Sequence, residues 1–176
     1  LSDYWTDPGA QLIPKAWQET TTATAMTETL STYIKGVLAD WKDGGVVPDF
    51  VQVGNEIDRG LLVDSAITDA STSPKTTTDA NDSVAGGYKT ANFKTYLAAG
   101  CKAVRDSDSS IKIIVHVTNA NVDRLTYVKA SGADYDIIGL SYYPWQKHGT
   151  IVTLKSNIER LKSTYEKDVM VVETSF

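Results

Sequence analysis

The chain has 176 residues, of which 41% are hydrophobic, and it carries a formal net charge of −5. This composition predicts one globular unit with its own core, and the acidic balance without a Lys/Arg cluster argues against nucleic acid and anionic membranes as partners. The single cysteine, Cys101, excludes an internal disulfide and a cysteine-based metal site, and no apolar run approaches the roughly 20 residues of a membrane span.

The first 19 residues predict an irregular segment around the turn signal Asp7-Pro-Gly9. Asp3 and Trp5 stand in this segment, where aromatic rings could stack on sugar faces and carboxylates could bond to sugar hydroxyls. A loop pinned by its own aromatic side chains is an equal alternative. Because the chain begins at Leu1, without an initiator Met or a signal peptide, we expect it to be part of a longer protein.

A helix and a strand are predicted next. Apolar residues recur at helical spacing between residues 21 and 42, and Gly44-Gly45 end the pattern. Residues 50–53 form a run rich in apolar and β-branched residues, which is typical of a strand buried on both faces. The run leads into Gly54-Asn55-Glu56. A carboxylate at the end of a buried strand is costly to desolvate unless it is paired with another group or takes part in a functional site. Glu56 is therefore a candidate functional residue.

A polar, turn-rich tract covers residues 64–87 and predicts a long loop insertion, either functional or mobile. The helix predicted from about residue 88 to 105 places Cys101 on its apolar face. Cys101 is therefore interpreted as a small buried residue and not as a nucleophile.

The strand predicted over residues 111–119 carries His116 near its end and Asn119 at its exit. A lone histidine on a strand can be a satisfied core residue or a catalytic one, and the pattern leaves both possibilities open for His116. Both residues are retained as candidate substrate contacts.

A short helix at residues 121–131 precedes a strand over 136–145 that ends in a polar and aromatic tip with Tyr142, Tyr143 and Trp145. A helix at 151–165 then leads into the last apolar run, which delivers Glu173 at its exit. Either glutamate alone could simply solvate a strand end. Two glutamates at the same strand-end edge would provide the pair of facing carboxylates that hydrolysis of a glycosidic bond requires.

Strands and helices alternate throughout, which predicts an α/β fold with parallel strands and helical crossovers. The polar and aromatic clusters follow the strands, as at the active-site face of a (β/α)8 TIM barrel. The expected architecture is therefore a partial barrel, from about the end of strand three to strand seven. An open doubly wound sheet is the competing interpretation, although no Gly-rich phosphate loop follows any strand.

Four groups of residues, in chain order, resemble the arabinogalactan endo-β-1,4-galactanases, family fifty-three of the glycoside hydrolases. They are Ser2-Asp-Tyr-Trp-Thr-Asp-Pro-Gly9, Val51-Gln-Val-Gly-Asn-Glu-Ile57 with Gly60-Leu-Leu62, Ser141-Tyr-Tyr-Pro144 and Val171-Val-Glu-Thr174. The wider resemblance is to the clan of retaining glycosidases built on (β/α)8 barrels. It implies that residues 1–176 are part of one catalytic domain that acts outside the cytoplasm on a β-linked galactan or a similar plant glycan.

The resemblance also implies roles for single residues. Glu56 is expected to be the general acid/base and Glu173 the nucleophile, with Asn55 holding the sugar 2-hydroxyl. The remaining expected roles are orientation of Glu173 by Tyr142 or Tyr143, and sugar stacking by Trp5 and Trp145. No cofactor and no metal are expected.

Two positions depart from the family pattern. Val63 replaces a common tryptophan, and Thr118 replaces an aspartate, so a different β-glycan is a possible substrate. A non-catalytic carbohydrate-binding barrel fragment is the alternative from another functional class. A barrel enzyme using metal-assisted proton abstraction ranks last, because the sequence predicts no dense metal-ligand cluster at the rim.

Overall fold

The computed structural model describes residues 11, 13–20, 22–62, 90–146 and 148–175. The expectations that concern Asp3, Trp5, Val63 and the polar tract 64–87 fall outside these described residues.

Helices and strands alternate along the described chain. In order, they are α1 (Ala23–Asp43), β1 (Phe50–Val53), α2 (Thr90–Ser107), β2 (Lys112–Thr118), α3 (Leu125–Ala130), β3 (Ile137–Tyr142), α4 (Ile151–Tyr165) and β4 (Asp168–Thr174). The strands form one parallel sheet in the order β1-β2-β3-β4. Because neighbouring strands run in the same direction, their carboxyl ends lie along one edge of the sheet.

Helix α1 shows how the local pattern determines the packing. Its buried residues are Met26, Leu30, Ile34 and Leu38, and a spacing of four residues places them on one face of the helix. The Thr22 hydroxyl caps the start by accepting a hydrogen bond from the Ala25 backbone N–H at 3.1 Å. None of the described helices is both long and apolar enough to cross a membrane.

Burial differs across the sheet. All six residues of β3 are buried, whereas β4 exposes several side chains, among them Met170 and Val171. Phe50, at the start of β1, is 50% exposed. The prediction that residues 50–53 are buried on both faces is therefore wrong for the first residue of the strand. Two partly exposed outer strands are consistent with a sheet that forms part of a barrel.

Two predicted elements have a different form in the structure. The helix expected at 121–131 is a 3-10 segment, Asn119–Arg124, with a kink at Asn121, and α3 follows it directly. Asn121 leaves the helical conformation because its side chain donates hydrogen bonds to Asp58 and Thr118, at 2.8 and 3.0 Å. The strand expected over 136–145 ends at Tyr142, and a 3-10 turn at Pro144–Gln146 follows it.

Gly54 is the glycine on which the tip after β1 depends. Its φ is +77°, and a Cβ added to it would lie 2.3 Å from the Ile57 Cγ2 atom. The left-handed conformation costs about 1–2 kcal/mol for other residues, and overpacking costs about 1–3 kcal/mol. Gly54→Ala is therefore expected to lower the free energy of unfolding of the full chain by roughly 2–5 kcal/mol in chemical denaturation.

Gly36→Ala is the matched control for this prediction. Gly36 lies inside α1, and a Cβ added there meets no atom within 4 Å in the described structure. Alanine in place of a helical glycine is expected to stabilise the protein by about 0.5–1 kcal/mol. Equal effects of the two substitutions would contradict the assigned role of Gly54.

Candidate active site

The side chains that follow the strands meet at the carboxyl edge of the sheet. Glu56 follows β1, His116 lies in β2, and Glu173 lies near the end of β4. One side-chain oxygen or nitrogen of each lies within 4.8 Å of those of the other two. The structure thus brings together two glutamates that are far apart in the sequence, with a buried histidine beside them.

Glu56 has a backbone conformation that is unusual for a residue with a side chain. Its φ and ψ are 47° and 52°, in the left-handed region. Gln11 supports this conformation, because its side-chain amide donates to the carbonyl oxygens of Asn55 and Glu56 at 2.7 and 3.3 Å. A strained backbone of this kind persists where several surrounding contacts hold it in place, and it is found preferentially at functional sites.

The tip after β1 is also tied to β2 by a buried carboxylate. Asp58 accepts hydrogen bonds from the backbone N–H and the hydroxyl of Thr118, at 2.9 and 3.1 Å, and from Asn121. Asp58 is buried, so these bonds offset the cost of removing its charge from water. The 3-10 turn that follows Glu56 is therefore fixed to the end of β2.

His116 is a partnered core histidine beside the carboxylates. It is 1% exposed, and its Nε2 atom lies 2.7 Å from the Ser141 hydroxyl oxygen. Its Nδ1 atom accepts from the Glu56 backbone N–H at 3.3 Å and lies 3.1 Å from Asn55 Oδ1. Burial lowers the pKa of His116 against the opposing effect of the charges on Glu173 and Asp58. The imidazole is thus held in its neutral form as a fixed part of the site.

Asn55 is held by the Gln52 side chain. Its Oδ1 atom accepts a hydrogen bond from the Gln52 side chain at 3.3 Å and lies beside His116. The side chain is partly exposed at the same edge as Glu56. This placement is compatible with the predicted contact to a sugar hydroxyl, which stays a prediction.

A bulge between β3 and β4 places Glu173 beside Ser141. The pairing runs from Leu140 opposite Val171 to Ser141 opposite Glu173, so Val172 is the extra residue. Such a bulge turns the following side chains relative to the rest of the strand. The Ser141 hydroxyl consequently donates to Glu173 Oε2 at 3.4 Å.

Of the two candidate tyrosines, Tyr143 is the one that contacts Glu173. Its hydroxyl donates a hydrogen bond to Glu173 Oε1. Burial, together with that bond and the neighbouring negative charge, raises the pKa of Tyr143 to about 12. The phenol therefore remains a donor across the ordinary working range of pH. Tyr142 is buried elsewhere, and its hydroxyl donates to the Gly149 carbonyl at 3.3 Å.

The two glutamates have different electrostatic environments. Burial raises the pKa of Glu56, and the negative charges of Glu173 and Asp58 raise it further. Glu173 has a half-exposed side chain and two hydroxyl donors. The raised pKa of Glu56 suits a group that donates a proton, and the two hydroxyl donors fix the orientation of the Glu173 carboxyl group.

The remaining candidates are placed differently. Trp145 is 63% exposed, and its ring lies 6.1 Å from that of Tyr143 in an edge-to-face arrangement. Asn119 is 2% exposed, and its amide contacts Asn157 and the backbone of His148. The structure thus places Trp145 at the open surface and Asn119 within the protein. Their predicted contacts with substrate stay predictions.

The structure adds four residues that the sequence interpretation did not single out for the site. They are Gln11, Asp58, Ser141 and His148. Ser141 could have been found, because it stands within the Ser-Tyr-Tyr-Pro motif. Gln11 gave no local signal, since its partners lie more than forty residues away in the sequence.

Glu56, His116 and Glu173 are close enough together to hold a metal ion. The sequence interpretation expected no metal-ligand cluster. Both ring nitrogens of His116 already contact protein groups, however. Binding an ion through Nε2 would require breaking the 2.7 Å contact with Ser141. The donor set therefore suits a hydrogen-bonded acid pair better than a metal centre.

The chain is similar to known proteins along its whole length. The model of glycosyl hydrolase family 53 matches residues 1–176. Over 99% of its length, the chain is 33% identical to an arabinogalactan endo-beta-1,4-galactanase of Cellvibrio japonicus, covering 44% of that protein. It is 34% identical to arabinogalactan endo-beta-1,4-galactanase A of Emericella nidulans, with 100% of the chain and 48% of the relative covered.

The solved GH53 catalytic domain of Ignisphaera aggregans has a similar structure, with a TM-score of 0.77 and 29% identity over 99% of this chain and 44% of that one. The chain thus spans about half the length of the relatives it matches. The predicted α/β fold, a partial (β/α)8 barrel, is confirmed. The chain belongs to glycosyl hydrolase family 53.

Proposed function

We propose that the protein containing this chain is a retaining endo-β-1,4-galactanase, which hydrolyses the galactan of arabinogalactan by a two-glutamate double displacement. The observation that carries the proposal is the pair of facing carboxyl groups. Oxygens of Glu56 and Glu173 lie within 4.8 Å of each other. Retaining glycosidases place their carboxyl groups about 5–5.5 Å apart, whereas inverting ones need roughly 6.5–9.5 Å to admit a water.

In the first step, a Glu173 oxygen attacks the anomeric carbon of the sugar. The bond from that carbon to the leaving oxygen breaks, and the leaving oxygen takes the proton of Glu56. Tyr143 and Ser141 hold the two oxygens of Glu173 by hydrogen bonds. They therefore fix the direction from which the nucleophile approaches.

In the second step, Glu56 changes from acid to base. The negative charge of Glu173 is one cause of the raised pKa of Glu56, and that charge disappears when Glu173 becomes an ester. The pKa of Glu56 consequently falls, and the carboxylate formed in the first step can take a proton from water. The hydroxide portion of that water bonds to the anomeric carbon and releases Glu173.

The polymeric substrate is proposed from the relatives' names and from the exposed surface at the site. Trp145 offers an aromatic face beside Tyr143, and such faces stack on the apolar sides of sugar rings. Thr118 is buried and bonded to Asp58. Having threonine in place of aspartate at position 118 therefore changes a contact within the protein, and galactan remains the proposed substrate. Because a polysaccharide does not cross membranes unaided, we place the reaction outside the cytoplasm.

The test is hydrolysis of purified β-1,4-galactan by the full-length protein. We expect release of galacto-oligosaccharides whose new reducing ends are first in the β configuration, as seen by proton NMR before mutarotation. Linear arabinan and a β-1,4-glucan are the comparison substrates. Release from another β-glycan alone would keep the mechanism and refute the galactan assignment. Tight binding of galactan without any turnover would support the carbohydrate-binding alternative.

A further inference from the structure

A second histidine lies behind Tyr143, and the two-glutamate mechanism does not use it. His148 is 8% exposed, in the loop between β3 and α4. Its Nδ1 atom accepts a hydrogen bond from the Tyr143 backbone N–H at 3.2 Å and lies 3.2 Å from the Ser141 carbonyl oxygen. The imidazole therefore holds the Tyr143 backbone by this hydrogen bond and packs against the backbone of Ser141.

The ring of His148 also contacts the ring of Tyr143. The two centroids are 5.5 Å apart and the planes meet at 65°, an edge-to-face arrangement. One histidine thus restrains both the backbone and the ring of the tyrosine that donates to Glu173. Trp145 makes a similar edge-to-face contact with Tyr143 at 6.1 Å, but its own side chain is 63% exposed, whereas His148 is buried.

His148 is itself held from behind by two asparagines. The Asn119 amide, at the end of β2, donates to the His148 carbonyl oxygen. Asn157, on α4, donates to Asn119 Oδ1 at 3.0 Å. This series of contacts runs from α4 through β2 to the loop after β3. It ends, through Tyr143, at Glu173.

We propose that His148 is a positioning residue, which fixes the Tyr143 hydroxyl against Glu173 and is fixed in turn by Asn119 and Asn157. The inference rests on the proposed role of Glu173 as the nucleophile. A phenol on a loop can turn away from its partner by rotation about one side-chain bond. The ring contact of His148 opposes that rotation, and its bond to the Tyr143 N–H fixes the backbone that carries the side chain. The amide of Asn119 then has a supporting role within the protein.

The first test uses a double-mutant cycle in the full-length protein, with galactan as substrate. The variants are His148→Ala, Tyr143→Phe and the double variant. Misplacement of a reacting group by about 1 Å can cost on the order of 100-fold, so His148→Ala is expected to lower kcat by roughly 10- to 100-fold with little change in KM. Since His148 acts through the Tyr143 hydroxyl, adding His148→Ala to Tyr143→Phe should not lower kcat any further. Multiplicative losses of kcat would overturn the inference.

Conservative variants separate positioning from loss of fold. Asparagine places a polar atom where His148 has Nδ1, while glutamine reaches the place of Nε2. His148→Asn is expected to recover most of the kcat lost in His148→Ala, and His148→Gln is not. Equal activity of the two variants would contradict the proposed role of Nδ1. This comparison remains informative if His148→Ala does not fold.

A crystal structure of His148→Asn beside His148→Gln gives a readout that does not depend on activity. We expect the Tyr143 hydroxyl to remain on Glu173 in the first variant and to move away in the second. An unmoved Tyr143 in both would overturn the inference and leave the proposed function intact. An inactive wild-type protein would remove the proposed function, and the two structures would still decide whether His148 positions Tyr143.

Discussion

Glu173→Gln is expected to reduce galactan hydrolysis by on the order of 10,000-fold or more, as removal of a covalent nucleophile does in other enzymes. Glutamine has nearly the shape of glutamate and can still accept from Tyr143, so the site should keep its structure. It carries no negative charge, however, and an amide oxygen is a poor nucleophile. The measurement is the initial rate of reducing-end release from galactan, with a thermal melt to show that the variant is folded.

Glu159→Gln is the matched control. Glu159 lies on α4, with a side chain that is 69% exposed, beside Lys155 in an i, i+4 pair at 4.0 Å. An exposed pair of this type contributes little to stability. The same chemical change there should leave both hydrolysis and the melt unaltered. If Glu173→Gln kept substantial activity, Glu173 would not be the nucleophile.

The same variant has a second consequence that does not require turnover. The negative charge of Glu173 is one of the causes that raise the pKa of Glu56, after burial. Removing that charge makes ionisation of Glu56 easier, so the pKa of Glu56 should fall in Glu173→Gln. A carbon-13 NMR titration of the Glu56 carboxyl would measure the change. An unchanged or higher pKa would show that the two carboxyl groups are not coupled.

The sequence was sufficient to predict the alternation of strands and helices. Apolar runs such as residues 50–53 and the spacing of Met26, Leu30, Ile34 and Leu38 are local patterns that report directly on burial. Parallel strands then place the residues after each strand at one edge. For that reason Glu56 and Glu173 could be expected near each other from the sequence alone.

The details that fix the site could not be predicted in this way, because they depend on contacts between distant parts of the chain. Glu56 takes a left-handed conformation that the Gln11 side chain supports. The bulge at Val172 decides that Glu173 lies beside Ser141. No periodicity encodes either feature. The two adjacent tyrosines look alike in the sequence, and it is Tyr143, which follows the end of β3 at Tyr142, that contacts Glu173.

Glu56→Ala is expected to lower the rate on galactan by roughly 100- to 10,000-fold, the range for loss of a general acid. The rate of the first step should fall much less with an aryl galactoside as substrate, because a phenol of low pKa leaves as its phenolate and needs no proton. Added azide should then restore turnover by attacking the glycosyl-enzyme from the face that Glu56 vacated, giving a β-galactosyl azide. An α-galactosyl azide would instead identify Glu56 as the nucleophile.

The pH dependence tests the same assignment through the sign of the shift. Burial and the charge of Glu173 raise the pKa of Glu56, so the acid stays protonated to higher pH than an ordinary carboxyl group does. Galactan hydrolysis should fall as the pH rises through that pKa, because the proton for the leaving oxygen is lost. When Glu56→Ala acts on an aryl galactoside, kcat/KM should no longer decrease as the pH rises. If the fall persisted in the variant, another group would be the acid, and the raised pKa of Glu56 would reflect burial without a catalytic role.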